Sequence, residues 1–503
     1  MDLGSWTVSV VGLGPMGRGI ARVFDRAGAS VLVVDVSPEA TAQGLDRIRA
    51  EADKDGETVE VQAATLEDAA ARADLLVEAI VENMAAKEEL LAVARDHGGP
   101  DLVVASNTSS LSIGQMGRAF GDPGRVVGLH FFNPPTKMRL VEVIRGAATS
   151  DDVHALAVQV VEQLGKTPVT CGDSPNFVVN RVCRPLYYEA QLLVAEGLEP
   201  AVVDAAARGA LGHRMGPLQL LDFTGLHTHL ASSETAYREF GDPRYRPIPR
   251  VRQLVRNGMT GRAVGRGFYE HEVESARDAI NRVTRVAVDR PGGSVRVEGP
   301  DASAVILHGG SDSSPGGSEA VLYACHRPPR PEDVDNVRAL TATGRVVVDS
   351  SDVGWSTHLP EGAAWIRLHT WQDRPFAEVV DDQEAGLRAP AWVDDVLDAQ
   401  GADSVRVLAL PGLVADRLAT CLANEAYAVV EEGTAEPADV DTALRLAMNH
   451  PQGPLEYVDR VGVATVHDGL RSMLDAFGDP RYRPSQLMRR HASAAQRAAL
   501  ATR

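Results

Sequence analysis

Thr7-Val8-Ser9-Val10-Val11-Gly12-Leu13-Gly14-Pro15-Met16-Gly17 places a short β-branched run directly before a G-x-G-x-x-G. A helical pattern follows, with Ile20, Ala21, Val23 and Phe24 on one side, and then a second apolar run, Val31-Leu32-Val33-Val34, that ends in Asp35. The glycines have separate tasks: a tight turn, close approach of backbone to a pyrophosphate, and close packing of helix on strand. The pyrophosphate then sits at the helix N-terminus. Asp35 can accept hydrogen bonds from both ribose hydroxyls. Its charge repels a 2′-phosphate, and no arginine follows it directly. Strand, glycines, helix, strand and acid in this order predict a Rossmann domain. Gly12, Leu13, Gly14, Pro15, Met16, Gly17 and Asp35 are its cofactor-binding residues, for NAD rather than NADP. FAD uses the same turn and is the minor competitor.

Outward from that stretch the sheet continues. Leu75-Leu76-Val77-Glu78-Ala79-Ile80 is nearly all apolar, as a parallel strand covered on both faces should be. Leu102-Val103-Val104-Ala105 follows, running into Ser106-Asn107-Thr108-Ser109-Ser110. Next comes GLHFFNPPTKMRLVE (128–142), two short strands broken by Pro134 and Pro135, which cannot donate to a ladder. If the chain doubles back there, His130 and Glu142 lie side by side. A histidine backed by a carboxylate is a general base with a fixed tautomer. A core histidine beside a sheet-edge charge is the other reading of the same pair. Glu82, Ser109 and His130 each lie at or just past a strand end, where ligands of doubly wound sheets bind.

The chain has 503 residues, enough for three or four domains. Lys+Arg against Asp+Glu is 50 against 69, a net charge of −19, which argues against nucleic acid and anionic membranes as partners. It permits an anionic cofactor held by backbone N–H groups. No basic-then-apolar leader precedes the first strand, and no apolar run approaches the ~20 residues of a membrane span. The four cysteines, Cys171, Cys183, Cys325 and Cys421, show no metal or CxxC spacing. The expectation is a reduced cytoplasmic protein without a metal.

Residues 173–271 lack strand alternation and read as an all-α bundle. Asp173-Ser174-Pro175 has the N-cap and N1 chemistry of a helix start. Asn180 then falls in the second turn, directed either at the crevice or at solvent.

With these residues in place, the chain resembles the L-3-hydroxyacyl-CoA dehydrogenases, including the 3-hydroxybutyryl-CoA enzymes. The resemblance is carried by GLGPMG (12–17), LLVEAIVENMAAKEEL (75–90), ASNTSSLSI (105–113), GLHFFNPPTKMRLVEVI (128–144), DSPNFVVNR (173–181), MGPLQLLD (215–222) and GRGFY (265–269). It implies His130 as general base, oriented by Glu142, with Ser109 and Asn180 hydrogen-bonding the reacting oxygen and the base. It also implies that Glu82, Lys87, Ser109 and Asn133 contact the nicotinamide cofactor. There are three departures. Pro-Gly-Phe of the family is Pro175-Asn176-Phe177 here. A family lysine near the end of the helical domain is replaced within Arg262-Ala263-Val264-Gly265. The segment from Glu39 to about Asp74, which in the family forms a long helical hairpin over the CoA end of the substrate, is shorter. It has room for a single helix, from Ala40 to about Ala52. The expectation is weak hold on CoA, so that a pantetheine thioester serves nearly as well.

The second half repeats the first. Gly241-Asp242-Pro243-Arg244-Tyr245-Arg246-Pro247 recurs as residues 478–484, Met215-Gly216-Pro217-Leu218 is echoed by Gln452-Gly453-Pro454-Leu455, and Asp416 stands at the place of Asn180. Between the copies, Ala304-Val305-Ile306-Leu307, Ala320-Val321-Leu322-Tyr323 and Arg345-Val346-Val347-Val348-Asp349 are strand-like. Ile366-Arg367-Leu368-His369 mimics the strand of His130, and Phe376-Ala377-Glu378-Val379-Val380 that of Glu142. Counted from Gly309, Ser311 and Ser314 fill the later glycine places and obstruct a pyrophosphate. The predicted architecture is an α/β Rossmann domain (1–172) plus an all-α domain (173–279), then a degenerate repeat of both (280–400 and 401–503). The predicted activity is NAD-dependent oxidation of a 3-hydroxyacyl thioester, or its reverse. The thioester is on CoA or a carrier protein, in a monomer with an internal pseudo-dimer or in a homodimer. The rivals are a dehydrogenase of a carrier-protein-bound or non-thioester 3-hydroxy acid and a non-catalytic NAD-binding or scaffold protein.

Overall fold

A computed structural model describes residues 2–271, 295–300, 320–326, 328–352, 354–372 and 374–501. The first sheet has eight strands: β1 (Thr7–Val11), β2 (Ser30–Val34), β3 (Val61–Ala63), β4 (Leu75–Glu78), β5 (Val103–Ser106), β6 (Val126–Phe131), β7 (Leu140–Arg145) and β8 (Thr167–Gly172). Their order is β3-β2-β1-β4-β5-β6-β7-β8, parallel except that β6 and β7 run antiparallel. Helices cover the sheet, so β4 and β5 are buried at every residue, which is why they read as apolar runs. The chain leaves β1 toward β2 and β3 and resumes on β1's other side at β4. That switch point opens the crevice in which such folds bind ligands.

Between β2 and β3 lies one helix, Pro38–Lys54, two residues longer at each end than expected. The helix expected from Asp173 begins instead at Val179. Asn176 and Phe177 have φ of 64° and 52°, a left-handed pair that a right-handed helix cannot include. Asn180 therefore lies in the first turn, not the second.

The second sheet has β9 (Val295–Glu298), β10 (Ala320–Ala324), β11 (Arg345–Asp349), β12 (Ala364–Trp371), β13 (Arg374–Val380) and β14 (Asp403–Val407), ordered β14-β13-β12-β11-β10-β9. Among the described strands of this sheet only the β12–β13 pair is antiparallel, as β6–β7 is in the first. β14 extends this sheet past residue 400, the boundary expected from sequence. β9 lies beside β10 as β1 lies beside β4. The expected strand at 304–307 and the places of Gly309, Ser311 and Ser314 lie outside the described residues. The turn that follows β9 starts at Gly299. Gly299 has φ +103° and a Cβ there would meet the Ala324 carbonyl oxygen at 2.5 Å; Gly12 has φ +96° and would meet that of Ala79 at 2.6 Å. Residues 299–319 are all that separate β9 from β10. Residues 12–74, which separate β1 from β4, hold β2, β3 and three helices.

The chain forms two compact units. The first is Met1–Val182, Arg238–Phe240 and Ala426–Glu456. Within it the helix Pro437–Met448 packs on β7 and β8. Gly172 N–H donates to the Thr434 carbonyl (2.8 Å), Thr170 Oγ1 to Asp439 (3.1 Å), and the buried Arg181 guanidinium to Glu432 (2.8 Å). The second unit is Cys183–Tyr237, Gly241–Glu425 and Tyr457–Arg503. Within it the helix Pro200–Leu211 packs on β12, β13 and β14. Arg417 donates to Glu189 (2.6 Å) and Glu196 (2.6 and 2.8 Å). The repeated heptapeptide has a packing role here: Tyr482 donates to Glu189 (2.9 Å) and Tyr245 to Glu425. Each sheet is thus covered by a helix from the other half of the sequence.

Among the described residues no helix is long and apolar enough to cross a membrane, and no cluster of His, Cys, Asp and Glu has metal-binding form. All four cysteines are buried, and none forms a disulfide among the described residues.

Candidate active site

The glycine turn fits a dinucleotide. A Cβ on Gly17 would lie 1.7 Å from the Gly12 carbonyl oxygen, so the helix Pro15–Arg26 packs too closely on the turn for a side chain. Around the Cβ position of Gly14 there is nothing within 4 Å, an opening at the helix N-terminus. No side chain caps that helix, which leaves its first N–H groups for an anion. Asp35 accepts from Leu13 N–H (2.8 Å) and Val36 N–H (2.7 Å), so it holds the turn as well as facing the cleft. The cleft measures about 1240 Å³ and is lined by Gly12–Met16, Asp35 and Ile80. Glu67 and Asp68, which sequence reading passed over, line it too and add to the repulsion of a 2′-phosphate. These residues suit NAD.

Beyond β4 and β5 a polar network forms around two glutamates. Glu82 Oε1 accepts from Thr108 Oγ1 (2.7 Å), Ser109 N–H (2.9 Å), Ser109 Oγ (3.1 Å) and Ser110 Oγ (3.0 Å). Burial pushes the Glu82 carboxyl up, but Lys87 and these donors together hold it below its ordinary value. Lys87 is 1% exposed and donates to Glu78 at 2.6 Å, with Glu82 at 3.6 Å. Its ammonium is therefore enclosed among carboxylates. Glu78 also accepts from Ser106 Oγ (2.5 Å) and Ile80 N–H (2.7 Å). Sequence reading missed Glu78 and Ser106. The available signal was a carboxylate ending an otherwise apolar buried strand, which requires a cation nearby.

The β6–β7 register sets His130 opposite Glu142. His130 Nδ1 lies 2.6 Å from Glu142 Oε2, and the Glu142 side chain is fully buried. Glu142 Oε1 accepts from Val178 N–H (3.1 Å) and Val179 N–H (2.8 Å). Glu142 thus takes the capping role expected of Ser174. Phe132 and Phe177 flank the imidazole, ring centroids 4.6 and 5.9 Å away. Asn107 Oδ1 accepts from Phe131 N–H (2.9 Å), tying the end of β5 to that of β6. Asn180 is half-buried and directly follows the amides that hold Glu142. Asn133 is exposed, two residues past β6.

In the second sheet the antiparallel pair β12–β13 carries other chemistry. Glu378 Oε1 accepts from Val414 and Ala415 N–H groups, both at 3.0 Å, as Glu142 does from Val178 and Val179. The residue opposite Glu378 is Arg367, not His369. Arg367 Nε donates to Asp416 at 2.6 Å. Asp416 is destabilised by burial yet held down at about 2, chiefly by Arg367. Asp349 accepts from Leu368 N–H (2.9 Å), as Asn107 does from Phe131. His369 lies two residues on and reaches Glu378 with Nε2 at 3.0 Å. A half-buried ion pair therefore stands where the first sheet has His130 and Asn180.

The family profile described as "3-hydroxyacyl-CoA dehydrogenase, NAD binding domain" matches residues 7–174. The profile "3-hydroxyacyl-CoA dehydrogenase, C-terminal domain" matches twice, at 177–271 and 412–499. The chain is 41% identical over 283 residues to a probable 3-hydroxybutyryl-CoA dehydrogenase of Bacillus subtilis, covering 54% of this chain and 98% of that one. It is 32% identical over 500 residues to a 3-hydroxyadipyl-CoA dehydrogenase of Escherichia coli, covering 97% of each. A crystal structure of 3-hydroxybutyryl-CoA dehydrogenase from Escherichia coli K12 superposes with a TM-score of 0.76 at 28% identity, over 97% of this chain and 98% of that one. With its NAD-binding domain, two matches to the C-terminal domain and a relative of full length, the chain belongs to the 3-hydroxyacyl-CoA dehydrogenase family.

Proposed function

We propose that the chain oxidises a 3-hydroxyacyl thioester at C3, or reduces the 3-oxo form, at one catalytic centre built on His130. The observation that carries this is the Glu142 carboxylate, held by two backbone N–H groups and by His130 Nδ1. With Nδ1 so engaged, Nε2 is the nitrogen left to exchange a proton with the substrate hydroxyl. His130 takes that proton as hydride leaves C3, and Glu142 stabilises the imidazolium. Bound NAD supplies the hydride acceptor. Ser109 and Asn180 hydrogen-bond the reacting oxygen and the base. Glu82, Ser109 and Asn133 hold the nicotinamide end, with Lys87 setting the charge of Glu82 from behind.

The second half is, in this proposal, a degenerate copy of the first that has lost cofactor binding and chemistry. Residues 299–319 separate β9 from β10, where residues 12–74 separate β1 from β4, and Arg367 with Asp416 occupies the catalytic places. What it contributes is the helical cover on β7 and β8, within one chain.

The test is NADH oxidation with acetoacetyl-CoA, beside the same acyl group on a carrier protein and beside 3-oxoadipyl-CoA. Turnover of a CoA thioester supports the reading, and the ratio of the two CoA substrates ranks a plain against a carboxylated acyl chain. Turnover of none of the three rejects it.

A further inference from the structure

Glu78, Lys87, Glu82, Thr108 and Ser106 close a ring at the ends of β4 and β5, within the first unit. Glu78 Oε1 accepts from Lys87 Nζ (2.6 Å), and Lys87 lies 3.6 Å from Glu82. Glu82 accepts from Thr108 Oγ1 (2.7 Å), Thr108 N–H donates to Ser106 Oγ (3.2 Å), and Ser106 Oγ donates to Glu78 Oε2 (2.5 Å). Glu78 and Lys87 are fully enclosed, while the Glu82 side chain is partly open to the crevice.

The charges in this ring do not cancel. Two carboxylates share one ammonium, which leaves one negative charge in excess. Burial pushes the Glu82 carboxyl up, yet Lys87 and the hydroxyl and amide donors hold it below its ordinary value, so it stays ionised. Lys87 alone would balance Glu82; the excess comes from Glu78 behind it. Hydrogen bonding does not require a charge at position 78. An amide there could accept from Lys87 and from Ile80 N–H and donate to Ser106. Burying a carboxylate is costly, so its charge calls for another use.

The position of the ring supplies one. A Rossmann sheet holds a dinucleotide across its switch point, one mononucleotide to each half. Gly12–Met16 and Asp35 line the cleft beyond β1 and β2, which takes the adenosine half. The nicotinamide half then falls beyond β4 and β5, on the side of His130 at the end of β6. The nicotinamide ring is a cation when oxidised and neutral when reduced, and the rest of the cofactor is the same in both forms. A fixed negative charge beside that ring therefore acts on the difference between the two forms. Contacts with the pyrophosphate, riboses and adenine act on both alike.

Resting on the reading of the site as one for NAD, we propose that Glu78 is a positioning residue that, through Lys87 and Glu82, keeps one excess negative charge beside the nicotinamide and so favours the oxidised cofactor over the reduced one. In a mixed pool of the two forms it raises the share of sites that carry NAD+. The Glu142 carboxylate adds to the same field, but it is present in every variant compared below and drops out of the comparison.

The experiment measures the dissociation constants of NAD+ and NADH for the full chain by calorimetry, without substrate, and takes the ratio Kd(NAD+)/Kd(NADH). Across roughly 10 Å at an effective dielectric of ~20, one unit charge changes an affinity by about ten-fold. In Glu78→Gln the ratio should rise by about three-fold to thirty-fold. Glu78→Asp shortens the side chain and keeps the charge, so both affinities should fall while the ratio stays within about two-fold of the wild type. A ratio unchanged in Glu78→Gln, or shifted as far in Glu78→Asp, overturns the proposal and leaves Glu78 as a structural link between strands. If Glu78→Gln does not fold, Glu82→Gln decides. It removes the other carboxylate, leaves Glu78 and Lys87 balanced, and should raise the ratio by a similar factor; an unchanged ratio there overturns the proposal too. A protein that turns over no thioester still yields the ratio, so failure of the catalytic reading is separate. Binding of neither cofactor form overturns this proposal together with the NAD site.

Discussion

Glu142 serves His130 and the start of a helix at once. One carboxylate oxygen takes the imidazole Nδ1 at 2.6 Å, and the other takes the first two amides of the chain entering the helix Val179–Ala195. The plane of the carboxylate, and with it the orientation of the imidazole, is set by backbone 36 and 37 residues further along the chain. The active-site geometry and the docking of that helix therefore share one group.

Glu142→Gln keeps the shape and removes the charge. A glutamine that keeps its oxygen on the two backbone amides turns its NH₂ to His130 Nδ1, which must then accept, so the ring proton moves to Nε2 and the base is held in the wrong tautomer; turned the other way, its NH₂ faces two N–H donors. Turnover should fall about 10²–10⁴-fold, as it should for His130→Ala, the scale of a positioned acid–base group. NADH affinity should change little in both. Stability of the glutamine variant should fall by about 1–3 kcal/mol. Steady-state kinetics and denaturant titration check this, and near-normal turnover in either variant removes His130 from the role of base.

Asp35→Ala should weaken NAD binding and relax the preference over NADP. The structure adds a second route to the loss, because Asp35 Oδ2 also holds Leu13 N–H in the glycine turn. Removing one such charged acceptor costs about 1.5–3 kcal/mol, or roughly ten-fold to a hundred-fold and more in affinity. Equal use of both cofactors by the unaltered protein contradicts the assignment.

Calorimetry should give one NAD per chain. The ion pair of Arg367 with Asp416 also predicts that His369→Ala leaves kcat unchanged, since His369 is not in the place of the base. Two equivalent NAD sites, or loss of turnover in a folded His369→Ala protein, contradict a single centre.

Glu432→Ala should destabilise the protein and lower kcat. It leaves the fully buried Arg181, next to Asn180, with Ser174 and the Phe240 ring as its remaining named partners. Glu432 is 43% exposed at its side chain, so the loss is about 1–3 kcal/mol rather than that of a wholly buried pair. Glu432→Gln should recover part of both effects. Unchanged Tm and kcat in the alanine variant would show that this end of the second half does not hold the first-half site.

His213 makes the protein less stable in mild acid. Burial alone brings it from 6.5 down to about 4. A histidine depressed on folding stays neutral in the native state while the unfolded chain takes up a proton. Its contribution is thus complete above pH 6.5 and lost as pH falls toward about 4. At ~1.36 kcal/mol per pH unit the loss amounts to about 3 kcal/mol. Urea titrations at pH 7.5 and 4.5 measure it, and His213→Gln should flatten the slope. An unaltered slope in that variant would assign the effect to other groups.

The parts legible in sequence were those whose cause is local. A β-branched run, glycines at set spacing and an acid ending the next strand specify one turn, because only glycine tolerates its contacts with Ala79 and Gly12. Two prolines between short strands were enough to pair His130 with Glu142, twelve residues apart. The heptapeptide shared by 241–247 and 478–484 marked a repeated packing element before its tyrosines could be seen to reach Glu425 and Glu189.

Other features needed the folded chain, because their partners are chosen by packing and not by neighbours in sequence. Lys87 faces Glu78 only because helix and strand meet there. Arg367, rather than the more suggestive His369, opposes Glu378 because strand register, with its period of two, decides which side chain faces which. The helix start moved to Val179 because two left-handed residues precede it. The pairing of each sheet with a helix from the other half joins residues some 250 apart, such as Arg181 and Glu432. The sequence alone determined that this chain holds NAD in a Rossmann turn and has a histidine–glutamate pair on adjacent strands. Only the tertiary structure decided what stands behind that pair, since buried charges and amides find their partners wherever close packing brings them together.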